Sequence, residues 1–225
     1  MSELLNTVFG PFYGNMLSLL LAATQWTIYL SLAAFTGGGL LGLLLTICKI
    51  SPLKPLRWFA TGFIWLFQSI PLLMLLFLLG LGVPVFFQID VPPWLAAGTA
   101  LTLFTSAYMS DVWRGALQSI PPGQWEAGKA VGLTFMQNLW WIIAPQALRI
   151  ATPSTVGFMI QVIKGTSMAY IIDYNDLMRW GKKIANSQLD GAEPFIVFPI
   201  VALIYFCLCF PLSLWARHLE RKLNA

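Results

Sequence analysis

Charge is what this chain has least of. Only 10% of its 225 residues are charged, whereas 58% are hydrophobic. Water-soluble domains carry about 25% charged residues, so this deficit argues against an ordinary soluble domain and favours a protein whose solvent is a lipid bilayer. The net charge of +4 does not indicate nucleic-acid binding, because the basic residues are scattered at segment ends rather than clustered.

Residues that build catalytic and metal sites are also scarce. The single histidine, His218, lies in a basic tail, and Cys48, Cys207 and Cys209 lie in apolar runs without metal-ligand or disulfide spacing. No Walker motif is present, so we expect no binding or hydrolysis of ATP by this chain. The sequence predicts no catalytic residue, no metal and no cofactor.

Long apolar runs dominate what remains. A helix needs about 20 mostly apolar residues to cross the hydrocarbon core, and the runs do not alternate as the strands of a membrane barrel do. The first segment lacks the basic start of a cleavable signal peptide, so we expect it to remain in the mature protein. The predicted fold class is all-α and integral to the membrane, with about five spans, at 20–48, 58–82, 94–112, 138–163 and 194–216.

Basic residues predict the orientation, because cytoplasmic loops are enriched in lysine and arginine. Lys49, Lys54 and Arg57 follow the first span, and Arg217 and Arg221 follow the last. These positions predict a periplasmic N-terminus, a cytoplasmic C-terminus, a cytoplasmic segment at 115–137 and a periplasmic loop at 164–193. That last loop is basic too, but its acidic residues nearly cancel the positive charge.

The segment 115–137 is too polar to span a membrane, yet its pattern is helical. Two prolines, Pro121 and Pro122, end the preceding helix, a short helix follows, and Gly132 ends that one as glycine often does. A second helix is expected to begin near Thr134. The residues alone leave two interpretations open, which are an interfacial loop with aromatic anchors and a docking helix for a partner protein.

The spacing of this segment resembles the EAA loop of ABC-importer permeases. Glu126 and Ala127 are followed at that motif's intervals by Gly132, Ile142 and Pro145. Further motifs across roughly 60–225 resemble the polar amino-acid subfamily, which includes histidine-, glutamine- and glutamate-type permeases; they include Ser106, Ala107, Tyr108, Asp111, Arg114, Gly115, Pro145, Gln146, Ala147, Arg149, Pro153, Lys164, Gly165, Thr166 and Ser167.

The resemblance implies a type I ABC importer permease fold with a cytoplasmic coupling helix. It implies a bacterial inner-membrane subunit that moves polar amino acids, including acidic ones as a candidate class, and that is not itself an enzyme. Its implied partners are separate ATPase subunits, a second permease subunit of the same or a related kind, and a periplasmic solute-binding protein. The residues implied to dock the ATPase are Glu126, Ala127, Ala130, Val131 and Gly132.

Five features depart from the family pattern. Gly128 replaces an alanine, which predicts a looser docking helix, since glycine costs about 1 kcal/mol relative to alanine in a helix. Ala144 stands where leucine is usual and Asp111 where glutamate is usual. The other two departures lie in predicted spans and leave the substrate open; they are Gly157 and the run Gln68, Ser69, Ile70, Pro71.

Polar side chains in or near the spans are candidates for a substrate pathway, because an unpaired polar group in hydrocarbon is costly. The alternative is hydrogen bonding between helices or simple anchoring of a helix end. The pair Asp111 and Arg114 forms either an inner gate or a local ion pair. The pathway candidates are Gln68, Ser69, Gly157, Gln161, Lys164, Thr166 and Ser167.

Two other classes of membrane protein are alternatives. A secondary transporter or channel needs no ATPase, but the chain shows no inverted repeat, and the EAA spacing counts against it. A scaffold that transports nothing has no reason to keep Gln68 and Gln161 in its spans.

Overall fold

The computed structural model describes residues 2–187 and 192–224, and within these ranges it contains helices and short connections but no strand. The helices are α1 (Ser2–Ile50), α2 (Lys54–Ser69), α3 (Leu72–Phe77), α4 (Val83–Phe87), α5 (Pro93–Gln118), α6 (Pro122–Ala130), α7 (Phe135–Asn138), α8 (Ala144–Thr166), α9 (Leu177–Ala185) and α10 (Pro194–Asn224).

The first helix is broken near its start and then runs straight across the molecule. Gly10 has φ +81° and precedes Pro11, so the backbone leaves the helical region there. The remaining Gly10–Ile50 segment is 41 residues long and apolar enough to cross a membrane. The predicted first span at 20–48 lies inside it.

The second predicted span, 58–82, is not one straight helix. The chain bends by 98° between Lys54–Ser69 and Leu72–Phe87. Ile70 precedes Pro71 and is extended, with φ −94° and ψ 123°, as the steric demands of a following proline favour. A π-helical turn at Leu78–Gly82 joins α3 to α4. The membrane segment is therefore a bent pair of helices.

Helix α5 is packed by α1, α2, α3 and α8, and small residues make this possible. It runs parallel to α1, because Gly37 lies against Thr102 and Gly42 against Ser106 and Met109. Further along, Thr46 donates a hydrogen bond to Ser110 Oγ at 3.2 Å. Since neighbouring helices cover it, α5 needs less apolar surface than a helix that faces lipid.

Helices α8 and α10 complete the bundle. Trp113 bonds to Thr155 while Leu101 lies against Gly165, so α8 is antiparallel to α5. Among the described residues, Phe135–Ile172 and Pro194–Leu223 are also long and apolar enough to span a membrane, which makes three such helices there, or four with the bent pair. Helix α5 has 26 residues and a length of about 39 Å. A count of five spans remains a prediction.

The bundle has two distinct ends. Lys49, Asp111 and α6 lie at one, called here the α6 end, and Trp26, Trp94 and α9 lie at the other, the α9 end. The predicted loop at 164–193 consists of the last turn of α8, a 3-10 turn at Ser167–Ile172 and α9. Residues 188–191 of that predicted loop lie outside the described residues.

Candidate functional site

Both ends of α6 are set by residue types that can be recognised in the sequence, a proline at the start and a glycine after the end. Helix α5 ends at Gln118, and Pro122 is the first residue of α6, where the missing amide hydrogen of a proline costs nothing. At the other end Gly132 has φ +79°. Leu133 N donates to Gly128 O at 3.0 Å and Gly132 N to Lys129 O at 2.9 Å, which is the Schellman pattern of a glycine-terminated helix.

The turn between α6 and α7, residues 131–134, is called here the elbow, and hydrogen bonds hold it at both ends. Thr134 caps α7 in a capping box: Gln137 N donates to the Thr134 hydroxyl, and Thr134 N donates to Gln137 Oε1 at 2.9 Å. The predicted second helix near Thr134 is therefore present. A π-helical turn at Leu139–Ile143 then leads directly into α8, so few flexible residues separate α6 from this long helix.

One side of α6 packs inward. The Trp125 ring stacks on Phe135 with centroids 5.9 Å apart, and Gln146 Nε2 donates to Gln124 Oε1 at 3.3 Å. Asn138 Nδ2 donates to Trp125 O at 2.9 Å. These contacts join α6 to α7 and to the start of α8.

The other side of α6 is open. All five residues predicted to dock a partner are exposed, and Val131 is 74% exposed. Glu126 forms no ion pair or hydrogen bond with any described residue. A short helix that presents an unpaired acid beside small apolar side chains is suited to contact another protein; the five residues are Glu126, Ala127, Ala130, Val131 and Gly132.

Gly128 corrects the expectation of a looser helix. It is the buried residue of α6, and it faces Asn138 so closely that any side chain would collide with that amide. The glycine thus serves close packing between α6 and α7 rather than loosening α6. Helix propensity is a property of α6 alone and contains no information on this tertiary contact.

Asp111 lies at the centre of a polar network. Its Oδ1 accepts from Lys49 Nζ and Arg114 Nε, both at 3.2 Å, and its Oδ2 accepts from Gln68 Nε2 at 2.8 Å. Arg114 also donates to Gln118 at 3.0 Å. The network joins α1, α2 and α5, so the ion pair predicted from the spacing is present and larger than predicted. Lys49 was not anticipated, because it lies 62 positions from Asp111.

The predicted pathway residues fall into three groups. Gly157, Gln161 and Lys164 share one face of α8, because they are spaced by four and three residues; the last two are exposed, and a Cβ at Gly157 would meet nothing within 4 Å. We call this face the α8 stripe. Ser69 is exposed at the end of α2, whereas the amide of Gln68 is engaged by Asp111.

Thr166 and Ser167 form the third group, and Thr166 corrects the prediction. Thr166 is fully buried, and its hydroxyl donates to Ile163 O at 2.7 Å. Ser167 donates to Lys164 O at 2.6 Å. Both hydroxyls satisfy the last turn of α8, so Thr166 does not line an open surface.

Asp176 was not singled out from the sequence, and it is completely buried. Its Oδ1 caps α9 by accepting from Arg179 N at 2.9 Å, and Leu177 N donates to Thr27 Oγ1 at 3.1 Å. Burial raises the pKa of Asp176 to about 7, despite the opposing backbone hydrogen bonds. An aspartate directly before an amphipathic run is an N-cap signal, so the sequence did carry a clue to its role.

A basic groove of about 510 Å³ opens at the α9 end. Lys182 Nζ lies 4.8 Å from the centre of the Tyr170 ring, and Lys183 Nζ lies 4.7 Å from that of Trp180. Arg179 is paired with Asp173 at 3.1 Å. The two lysines leave the groove with a positive surface, and no described group of three or more histidine, cysteine or acidic residues in the chain is arranged to hold a metal.

Comparison with known proteins agrees with this architecture. Residues 38–225 match the family described as "Binding-protein-dependent transport system inner membrane component". The L-cystine transport system permease TcyB of Bacillus subtilis is 34% identical over 88% of this chain and 84% of its own length. The glutamate/aspartate import permease GltK of Escherichia coli O157:H7 is 31% identical over 87% and 89%.

Solved structures share the fold. One, described as an amino acid ABC transporter with histidines, superposes with a TM-score of 0.84 at 29% identity and covers 91% of this chain and 94% of its own. An inward-facing MetNI methionine ABC transporter gives 0.71 at 20% identity over 91% and 98%, and shows the fold alone.

The described helices form a multi-pass membrane bundle that presents a short, exposed helix at one end. The chain belongs to the family of binding-protein-dependent transport system inner membrane components. The predicted family and the all-α membrane fold of the type I importer permeases are thereby confirmed. Permeases of this family are not themselves enzymes, and ATP is hydrolysed by a separate subunit.

Proposed function

We propose that this chain is the permease subunit of an ATP-driven importer of polar amino acids and that α6 is its docking helix for the ATPase. The observation that carries the proposal is the two-sided α6, which is anchored by Trp125 and Gly128 on one side and leaves Glu126, Ala127 and Ala130 open on the other. Family membership implies an ATPase and a substrate-binding protein as partners.

The geometry supports a mechanical route from the ATPase to the membrane. Closure of two ATPases on ATP draws the docked α6 helices together, and the capped elbow at Thr134 passes this displacement to α8. Helix α8 carries the α8 stripe, so its movement changes which side of the membrane the stripe faces. ATP drives this movement because the ATP-bound ATPases bind one state of the bundle more tightly than the other.

The orientation follows from this assignment. The α6 end is cytoplasmic, the α9 end is periplasmic, and the N-terminus lies outside while the C-terminus lies inside the bacterial inner membrane. The basic groove formed by Tyr170, Lys182 and Lys183 supplies a docking surface for the periplasmic binding protein, whose contacting surface is then acidic. A second permease subunit, identical or related, encloses the pathway with this one.

The α8 stripe supplies the chemistry for a polar amino acid. Lys164 offers a cation for a carboxylate, Gln161 offers an amide donor and acceptor, and Gly157 leaves space beside them. Relatives are named for cystine, glutamine and glutamate/aspartate transport, which supports the class of substrate. Acidic amino acids are the candidates within it that Lys164 favours most.

The docking proposal is tested with Glu126→Ala. We expect this variant to lose most of its association with the ATPase in a pull-down and most of its ATP-driven uptake, because the exposed acid supplies a charge-assisted contact. Glu220→Ala is the matched control, since it removes another exposed acid, on α10. Normal uptake and association in Glu126→Ala would overturn the docking role.

The substrate proposal is tested with Lys164→Ala and Gln161→Ala. Both are expected to raise the KM of uptake while leaving ATPase association intact. A panel of labelled amino acids competed against the binding protein then identifies the substrate, and Lys222→Ala on α10 controls for the loss of a cation. An unchanged KM in both variants would remove the α8 stripe from the pathway.

A further inference from the structure

One buried side chain joins the docking helix to the membrane bundle, and it is not among the residues of the family motif. Asn138 is the last residue of α7 and is only 2% exposed. Its Nδ2 donates to Trp125 O, in the body of α6, at 2.9 Å. Asn138 therefore links α6 to the segment that becomes α8.

Gly128 forms the notch that receives this amide. A Cβ on Gly128 would lie 2.5 Å from Asn138 Nδ2 and closer still to its Cγ and Oδ1. Real Cβ atoms essentially never come within 3.0 Å of another heavy atom. An alanine at 128, which the family pattern calls for, would therefore force the Asn138 amide to move and would disturb its bond to Trp125 O.

Asn138 contacts α6 at two points about one helical turn apart. One is the notch at Gly128, and the other is the carbonyl of Trp125. Close-packed contacts transmit displacement because they cannot be compressed, and a buried amide bond is costly to leave unmade. The Trp125–Phe135 stack and the Gln124–Gln146 bond lie on more exposed residues. Asn138 thus supplies a buried link between α6 and the bundle.

We propose that Asn138 is a positioning residue that seats the docking helix in the Gly128 notch, so that α6 and α8 move as one unit. The inference rests on the proposed function of α6 as the ATPase-docking helix. It also gives the departure at Gly128 a physical reason, because the glycine leaves room for the Asn138 amide.

The experiment measures the ratio of ATP hydrolysed to amino acid imported by the complete importer in proteoliposomes. Gly128→Ala is expected to raise this ratio about tenfold, because overpacking displaces α6. Asn138→Ala is expected to raise the ratio as well, because the bond to Trp125 O is lost. The double variant Gly128→Ala with Asn138→Ala removes the collision but not this loss, so its ratio is expected to equal that of Asn138→Ala. Asn138→Asp adds no volume but turns an acceptor towards the Trp125 carbonyl, and is expected to uncouple as Gly128→Ala does.

Gly123→Ala is the matched control, because it adds the same methyl group to the same helix where nothing lies within 4 Å, and its ratio is expected to equal that of the parent. A normal ratio in Asn138→Ala or in Gly128→Ala, or a double variant with a higher ratio than either single variant, overturns the positioning role. Equal loss of both activities at a constant ratio also overturns it, since that is general structural damage. If the docking proposal itself fails, Glu126→Ala leaves the ratio and the uptake unchanged.

Discussion

Helices α6 and α9 have the same length, nine residues, and lie at opposite ends of the bundle. Helix α9 buries Leu177, Gly181 and Ala185 along one continuous face. Helix α6 buries Gly128 alone. The comparison shows how one short helix is packed along a whole face while another is held at few points and leaves most of its surface exposed.

The N-terminal ends of α6 and α9 also differ, because only that of α9 is held by buried side chains. Asp176 caps α9 from a fully buried position and Thr27 of α1 accepts from its first amide. Pro121, which precedes α6, provides no side-chain cap. Buried polar caps tie a helix to its surroundings, whereas a proline start only sets its direction. Changes in α9 should therefore alter the stability of the bundle, and changes in α6 should alter coupling to the ATPase.

The largest effect is expected from Leu177→Ala. This side chain is fully buried among Leu20, Val197 and Val201, so its truncation leaves a cavity and lowers the free energy of unfolding by about 3 kcal/mol. Thermal unfolding of the detergent-solubilised protein measures this. Val131→Ala, at the exposed end of α6, is the control and should change stability by less than about 0.5 kcal/mol. Equal effects would remove the contrast between the two helices.

A somewhat smaller effect is expected from Gly181→Ala. Its new Cβ would lie 2.7 Å from Val201 Cγ2, and overpacking of this kind costs about 2 kcal/mol. Adding Val201→Ala should recover stability in the double variant. Gly98→Ala, where nothing lies within 4 Å, is expected to gain about 0.5 kcal/mol instead. A stable Gly181→Ala protein would show that α9 is not tightly seated on α10.

Asp176 makes the α9 end sensitive to pH. Its pKa is raised from 3.8 to about 7, so the folded state holds its proton over a range in which the unfolded state has lost it. Stability from this group is complete below pH 3.8 and is lost as the pH rises towards about 7, with a slope of up to about 1.4 kcal/mol per pH unit.

Asp176→Asn is the matched variant for this prediction, because asparagine retains a capping oxygen but does not titrate. We expect its thermal midpoint to be flatter between pH 4 and pH 7 than that of the parent, and higher above pH 7. Parallel pH profiles for the two proteins would contradict the raised pKa. The stability of α6 is not expected to depend on pH through Asp176, since the two lie at opposite ends.

The smallest effect is expected from Gly132→Ala in the elbow of α6. The left-handed φ of +79° costs an alanine about 1 kcal/mol. If the docked state alone requires this conformation, the cost corresponds to roughly fivefold weaker binding of the ATPase. Titration of the ATPase onto the purified permease measures this. Gly132→Asn should lose less, because asparagine tolerates this conformation. An unaffected Gly132→Ala would mean that the elbow relaxes at no cost.

Much of the α6 site was predictable because its signals are local. The glycine that ends α6, the cap at Thr134 and the exposure of Glu126 all follow from short-range patterns. The contacts that were missed are long-range: Lys49 reaches Asp111 across 62 positions, and Thr27 meets Leu177 across 150. No periodicity within a single segment contains such information.

The sequence by itself determined that this is a helical membrane protein with a polar, helix-forming segment between spans, because hydropathy, charge bias and motif spacing are properties of order along the chain. Only the tertiary structure decided that α2 and α3 meet at a sharp bend, that Thr166 is buried and that Gly128 is a notch for Asn138. The physical reason is that burial and close packing depend on which surfaces meet. Gly128 weakens α6 as an isolated helix, but in the folded chain it allows α6 to pack closely against Asn138.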